Sequence, residues 1–127
     1  MRFLNMIKGS ENVGPPPKAL MAAVAKLGEE ATKAGVLIET GGLFPSALGA
    51  RVRLSGGNLA VTDGPFTEVK ELIGGYAVFD VKSKQEAISW ASRFMQLHKD
   101  HWPGWEGEAE IRQIFDAPSS SPKPGKD

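Results

Sequence analysis

The residues able to do chemistry gather in two stretches of the chain. The first is Asp63-Gly64-Pro65-Phe66, followed by Glu68, Lys70 and Glu71. A carboxylate at the mouth of a cleft can act as a base or a ligand contact. The same four residues also make a turn, with Asp bonding its own backbone, Gly and Pro setting the dihedrals, and Phe66 anchoring the loop in the core. The charges at Glu68, Lys70 and Glu71 suit either a polar ligand or a solvated surface. The second stretch is His98-Lys99-Asp100-His101-Trp102-Pro103-Gly104-Trp105. It holds both histidines of the chain. Two histidines without further ligands make a poor metal site, and no metal is expected. His98 falls near a helix end, where a cation suits the dipole. His101, placed in the loop beyond, is the candidate acid/base partner of Asp63. Trp102 and Trp105 flank Pro103-Gly104. They either line a pocket or pin their loop.

Four further residues belong with these. Arg51 and Arg53 stand at i, i+2 on one strand face. They can clamp a carboxylate or phosphate, or block unwanted edge pairing. Arg112, on the last strand, and Tyr76, on the strand after the Asp63 loop, complete the candidate ligand set of Arg53, Phe66, Glu68, Lys70, Tyr76, Trp102 and Arg112.

The elements that must position these groups follow from periodicity. Residues 2–8 form a strand with Leu4 and Met6 on one face and Phe3 and Ile7 on the other. A Pro-rich loop ends at Pro17, which suits a first helical position. Leu20, Ala23, Val24, Leu27, Ala31 and Ala34 repeat at helical spacing, and Gly35 closes that helix. Val36 to Ile38 is a short strand broken up by Gly41-Gly42. Ala50 to Leu54 and Leu59 to Thr62 make a hairpin around Ser55-Gly56-Gly57-Asn58. Gly74 to Val81 is the next strand. Ser83-Lys84-Gln85-Glu86 is a capping box, with Ser83 accepting from the Glu86 amide and the Glu86 carboxylate reaching back to the Ser83 amide. The helix it opens carries Ala87, Trp90, Ala91, Phe94 and Met95 on one stripe. Residues 99–107 read as irregular, and Glu108 to Phe115 as the last strand.

This order, β-α-β-hairpin-β-α-β, gives an α+β ferredoxin-like sandwich: an antiparallel sheet with two helices on one face. One domain over residues 1–116 is expected, with a disordered tail over 117–127. Residues 2–8 and 75–81 are apolar on both faces, whereas a sheet wetted on one side alternates. Two helices cover one face only. The other calls for a cover, most simply the same face of a second copy, and a homodimer is expected.

Composition bounds the function. The chain has 127 residues, 41% of them hydrophobic and 24% charged, which suits a folded domain. Lys+Arg and Asp+Glu both number 15, so no dominating positive field favours nucleic acid. The absence of cysteine excludes disulfides, thiolate catalysis and Cys-type metal sites. No run is long enough for a membrane span, the first residues do not read as a signal peptide, and a cytoplasmic location is expected. There is no P-loop, dinucleotide glycine fingerprint, Gly-x-Ser-x-Gly or His-Glu-x-x-His, and no cofactor is expected.

The run from Val61-Thr62-Asp63-Gly64-Pro65-Phe66-Thr67-Glu68 to Gly74-Gly75-Tyr76 resembles the DGPF branch of the bacterial YCII-related family. Flanking segments agree: Ala34-Gly35-Val36-Leu37, Gly41-Gly42-Leu43-Phe44-Pro45-Ser46, Gly49-Ala50-Arg51-Val52-Arg53, Ser83 to Trp90 and Glu110-Ile111-Arg112-Gln113. The resemblance covers about residues 1–116. It implies a dimeric α+β barrel. Other YCII-related proteins carry a His in the first helix that pairs with an Asp. Here Lys18 to Ala34 has no His, so that dyad does not carry over and Asp63 is the remaining counterpart of the acid. Three functions stay open: binding of a small polar or aromatic molecule near the Asp63 loop, a lyase or proton-transfer enzyme using Asp63 and His101, or an interaction module linked to transcription.

Overall fold

A computed structural model describes residues 1–66 and 72–116. Its elements are β1 (Arg2–Gly9), α1 (Lys18–Lys33), β2 (Leu37–Gly42), a 3-10 turn (Ser46–Leu48), β3 (Ala50–Ser55), β4 (Asn58–Asp63), β5 (Leu72–Asp80), α2 (Lys84–His101) and β6 (Gly107–Gln113). Four strands form one antiparallel sheet in the order β2-β5-β1-β6, and β3 and β4 pair as a separate ribbon. Taken without the ribbon, this is the ferredoxin-like arrangement that the element order predicts.

Sequence signals at the element ends explain much of this. Gly35 has φ 75°, a conformation that costs glycine little. There the Gly35 amide donates to the Thr32 carbonyl and the Val36 amide to the Ala31 carbonyl, a Schellman end to α1. Gly56 and Gly57, with φ 58° and 80°, make the tight turn between β3 and β4. Ser83 caps α2 by accepting from the Glu86 amide at 3.1 Å.

Several boundaries differ from the sequence reading. Pro17 precedes α1 as its cap rather than opening it, because its ψ of 149° is extended. β2 runs through Gly41-Gly42 instead of ending before them, since pairing with β5 outweighs the weak strand propensity of glycine. The fit there is close: a side chain at Gly41 would meet the Tyr76 ring at 2.9 Å. The Glu86 carboxylate accepts from the Lys82 amide at 3.1 Å, one residue before the amide expected of it. α2 continues to His101 and stops at Trp102, whose ψ of 79° fits the restriction that Pro103 places on its predecessor.

The core lies between the sheet and the helices. Phe3, Val36, Phe79, Val81, Ala87 and Ala91 form its buried cluster. Phe3 pairs with Phe79 across β1 and β5, so the helix-bearing face of the sheet carries Phe3, Asn5 and Ile7 of β1. The opposite face carries Leu4 and Met6, half-buried beside Tyr76 and Val78.

Candidate functional site

α1, α2 and the helix-bearing face of the sheet flank a half-open cavity of about 1160 Å³. It forms because the helices pack closely only near the Phe3 end of the sheet, where Ala87 and Ala91 let α2 approach. Trp90, Phe94 and His98 of α2 line the space, as do Trp102 and Trp105 beyond the helix end. Val24, Leu27 and Gly28 contribute from α1, and Asn5 and Ile7 from β1.

Two polar residues are built deep into this wall. His98 is 8% exposed and Asn5 3%. His98 Nδ1 lies 3.0 Å from the Phe94 carbonyl oxygen. A carbonyl only accepts, so Nδ1 carries a proton, and a ring with a single proton leaves Nε2 as an acceptor. Aromatic rings surround the imidazole, with Phe94 at 4.7 Å and Trp105 at 4.5 Å between centroids. Trp102 stacks on Trp105 at 6.0 Å. The Asn5 carboxamide oxygen is buried without a hydrogen-bond partner among the described residues. The sequence reading assigned no role to Asn5 and placed His98 at a helix terminus. The signals were present: Asn5 shares its face with Phe3 and Ile7, and His98 extends the Ala87, Ala91, Phe94 stripe.

The sequence candidates scatter over three places. Asp63 ends β4 opposite Ala50 and is exposed. Its carboxylate makes no hydrogen bond among the described residues. His101 is the last residue of α2 rather than part of a loop, and is half-buried. No hydrogen bond joins it to Asp63 among the described residues, and neither residue lines the cavity. Arg53 stands exposed on the ribbon, on the same face as Arg51. The Arg51 guanidinium lies 3.8 Å over the Phe66 ring, so Phe66 sits half-buried under a cation rather than in the core. Glu68 and Lys70 lie outside the described residues.

Tyr76 and Arg112 belong to the open face of the sheet by their register. The Tyr76 hydroxyl donates to Glu39 Oε2 at 2.7 Å, and that bond raises its pKa. Glu110 accepts from Lys8 at 2.8 Å and from Arg112 at 3.1 Å. These two bonds, Lys8 first, hold its carboxyl below the usual range. Among the candidates with a described side chain, Trp102 and Tyr76 are lining residues of the cavity.

The Asp63 loop reaches the cavity rim indirectly. The Phe66 amide donates to Ser46 Oγ at 3.2 Å, and Ser46 donates its own amide and hydroxyl to Glu11 at 2.6 and 2.9 Å. Glu11 lines the cavity. Gly64 passes so close to Ser46 that a Cβ there would overlap the Ser46 carbonyl oxygen. The Gly64–Pro65 peptide is cis. Among the described residues, no group of three His, Asp or Glu side chains gathers to hold a metal ion, and no helix is long and apolar enough to cross a membrane.

Comparison with known proteins gives two findings. The family model described as the YCII-related domain matches residues 1–104. An uncharacterized protein of Rhizobium meliloti (strain 1021) is 37% identical over 71 residues, which are 56% of this chain and 55% of the relative. The chain thus spans about half the length of that curated relative.

Proposed function

We propose, from the premise that this chain belongs to the YCII-related family, that it binds a small polar or aromatic molecule in the cavity between the sheet and the two helices. The carrying observation is the pair of deeply buried polar side chains, Asn5 and His98, in the wall of a large apolar cavity. Burying a polar group without a partner is costly, and ligand sites are where proteins keep such groups. The site is displaced from the Asp63 loop itself, which supports the rim through Ser46 and Glu11.

A thermal-shift screen with small acids and phenols tests this. A ligand at one hundred times its Kd adds about 2.7 kcal/mol, which raises the midpoint by several degrees. Filling the space with Val24→Trp abolishes that rise in a protein that still melts cooperatively. A rise that survives Val24→Trp, or no rise with any compound, refutes the reading.

The chain is further proposed to form a homodimer through the open face of the sheet. Leu4, Met6, Tyr76 and Val78 share that face, and neither helix covers it. A two-fold pairing of sheets would bury it. Sedimentation at micromolar concentration checks this, and a monomer there would end the proposal.

A further inference from the structure

The same cavity wall says which chemical class fits, and this inference rests on the binding reading above. Its deep polar groups are few, Asn5 and His98, whereas the charged lining residues Lys8, Glu11, Glu29 and Lys33 are half-buried or exposed. With Nδ1 committed to the Phe94 carbonyl, His98 offers an acceptor at Nε2, which makes no hydrogen bond among the described residues. The partner it requires is a donor, an O–H or N–H. The imidazole is also held by rings on two sides, Phe94 tilted at 51° and Trp105 at 44°. Behind them Trp102 and Trp105 lie nearly parallel, at 25°. Edges and faces of this kind suit a planar aromatic partner in offset or edge-to-face contact.

Ionic ligands fit less well. Of the charged lining residues, Glu11 is already bonded to Ser46, Lys8 is paired with Glu110, and Glu29 and Lys33 are exposed to solvent. A carboxylate or phosphate would therefore enter a mostly apolar space whose deep polar groups are an amide and an imidazole with Nδ1 already committed to the Phe94 carbonyl. Asn5 lines the same wall. A primary amide can donate or accept, so it tolerates a hydroxyl or a carbonyl elsewhere on the same molecule.

We propose that the cavity takes a planar aromatic molecule bearing a hydroxyl or N–H donor, with the donor on His98 Nε2 and the ring against Phe94 and Trp105. Phenols and fused-ring hydroxyaromatics are the nearest probes.

Calorimetric titration with three matched compounds tests it on the unmodified chain. 2-Naphthol has the ring and the donor, 2-methoxynaphthalene the ring alone, and decahydro-2-naphthol the donor alone. 2-Naphthol is expected to bind roughly five- to tenfold more tightly than either, the value of one hydrogen bond or one ring contact. In His98→Phe, 2-naphthol falls to the affinity of 2-methoxynaphthalene, which itself is unchanged. Should that variant fail to fold, ¹⁵N-histidine spectra of the native chain serve instead. His98 Nε2 then shifts with 2-naphthol and stays put with 2-methoxynaphthalene, and His101→Gln assigns the two histidines. Equal affinities for the three compounds, a preference that survives His98→Phe, or an unmoved Nε2 resonance overturns this inference and leaves the cavity reading standing. If none of the three binds, the cavity reading falls with it.

Discussion

Two antiparallel strand pairs in this molecule share a pattern and differ in fate. β1 and β5 place Phe3 opposite Phe79, at 2% and 5% exposure. β3 and β4 place Val52 opposite Val61 and Leu54 opposite Leu59, and these four are between 68% and 73% exposed. Alternation tells which side chains share a face. Whether anything covers that face depends on the connections. β1 and β5 each lead toward a helix that folds back onto the sheet, whereas β3 and β4 are joined by a tight turn and carry no helix. The same apolar spacing therefore makes a core in one place and a bare surface in the other.

Substitutions can break this contrast. The largest effect belongs to Phe3→Ala, which should cost about 3–5 kcal/mol in chemical denaturation because it empties the middle of the core. A loss below 1 kcal/mol would mean that the sheet layer is not the main source of stability. Gly64→Ala comes next, at about 1–3 kcal/mol, since its Cβ collides with backbone of the Ser46 turn. This measures how firmly the ribbon is fastened to the rest of the chain. Ser83→Ala should cost about 1 kcal/mol by removing the cap of α2, read from the same denaturation curves.

A smaller effect, visible through pH, concerns Glu110. Its folded pKa lies below the unfolded one, so the unfolded chain binds more protons in the acid range. Its contribution is present above the usual carboxylate pKa and is lost as pH falls through the folded value. Glu110→Gln should therefore flatten the acid side of the stability profile and leave the alkaline side unchanged. Least of all, Leu59→Ala should change unfolding stability by no more than about 0.5 kcal/mol, as an exposed position would. A loss of 2 kcal/mol or more would show that the ribbon is covered in solution and would erase the contrast.

Sequence made the element order readable because glycines and caps mark ends chemically. Gly35, Gly56-Gly57 and Ser83 act through their own backbone or nearest neighbours. β2 was misread because its pairing with a strand some 35 positions away, Gly41 with Tyr76, decides it. The site suffered in the same way. Asp63 stands out in a motif, yet the motif's glycine is explained by packing on Ser46, and its carboxylate stays outside the cavity. His98 looked like a helix-end cation. Its burial depends on Trp102 and Trp105 turning back over it, which no local spacing reveals.

The Ser46 hydroxyl joins three segments that are far apart in the chain: the loop of Glu11, its own turn and the strand exit at Phe66. The Ser46 turn cannot swing away without stranding hydrogen-bonding groups on both of the other segments. Local opening there is consequently a concerted event with a single free energy. The amides of Ser46, Gly64 and Phe66 would share one protection factor against exchange with solvent deuterium, although 20 residues separate the first from the last.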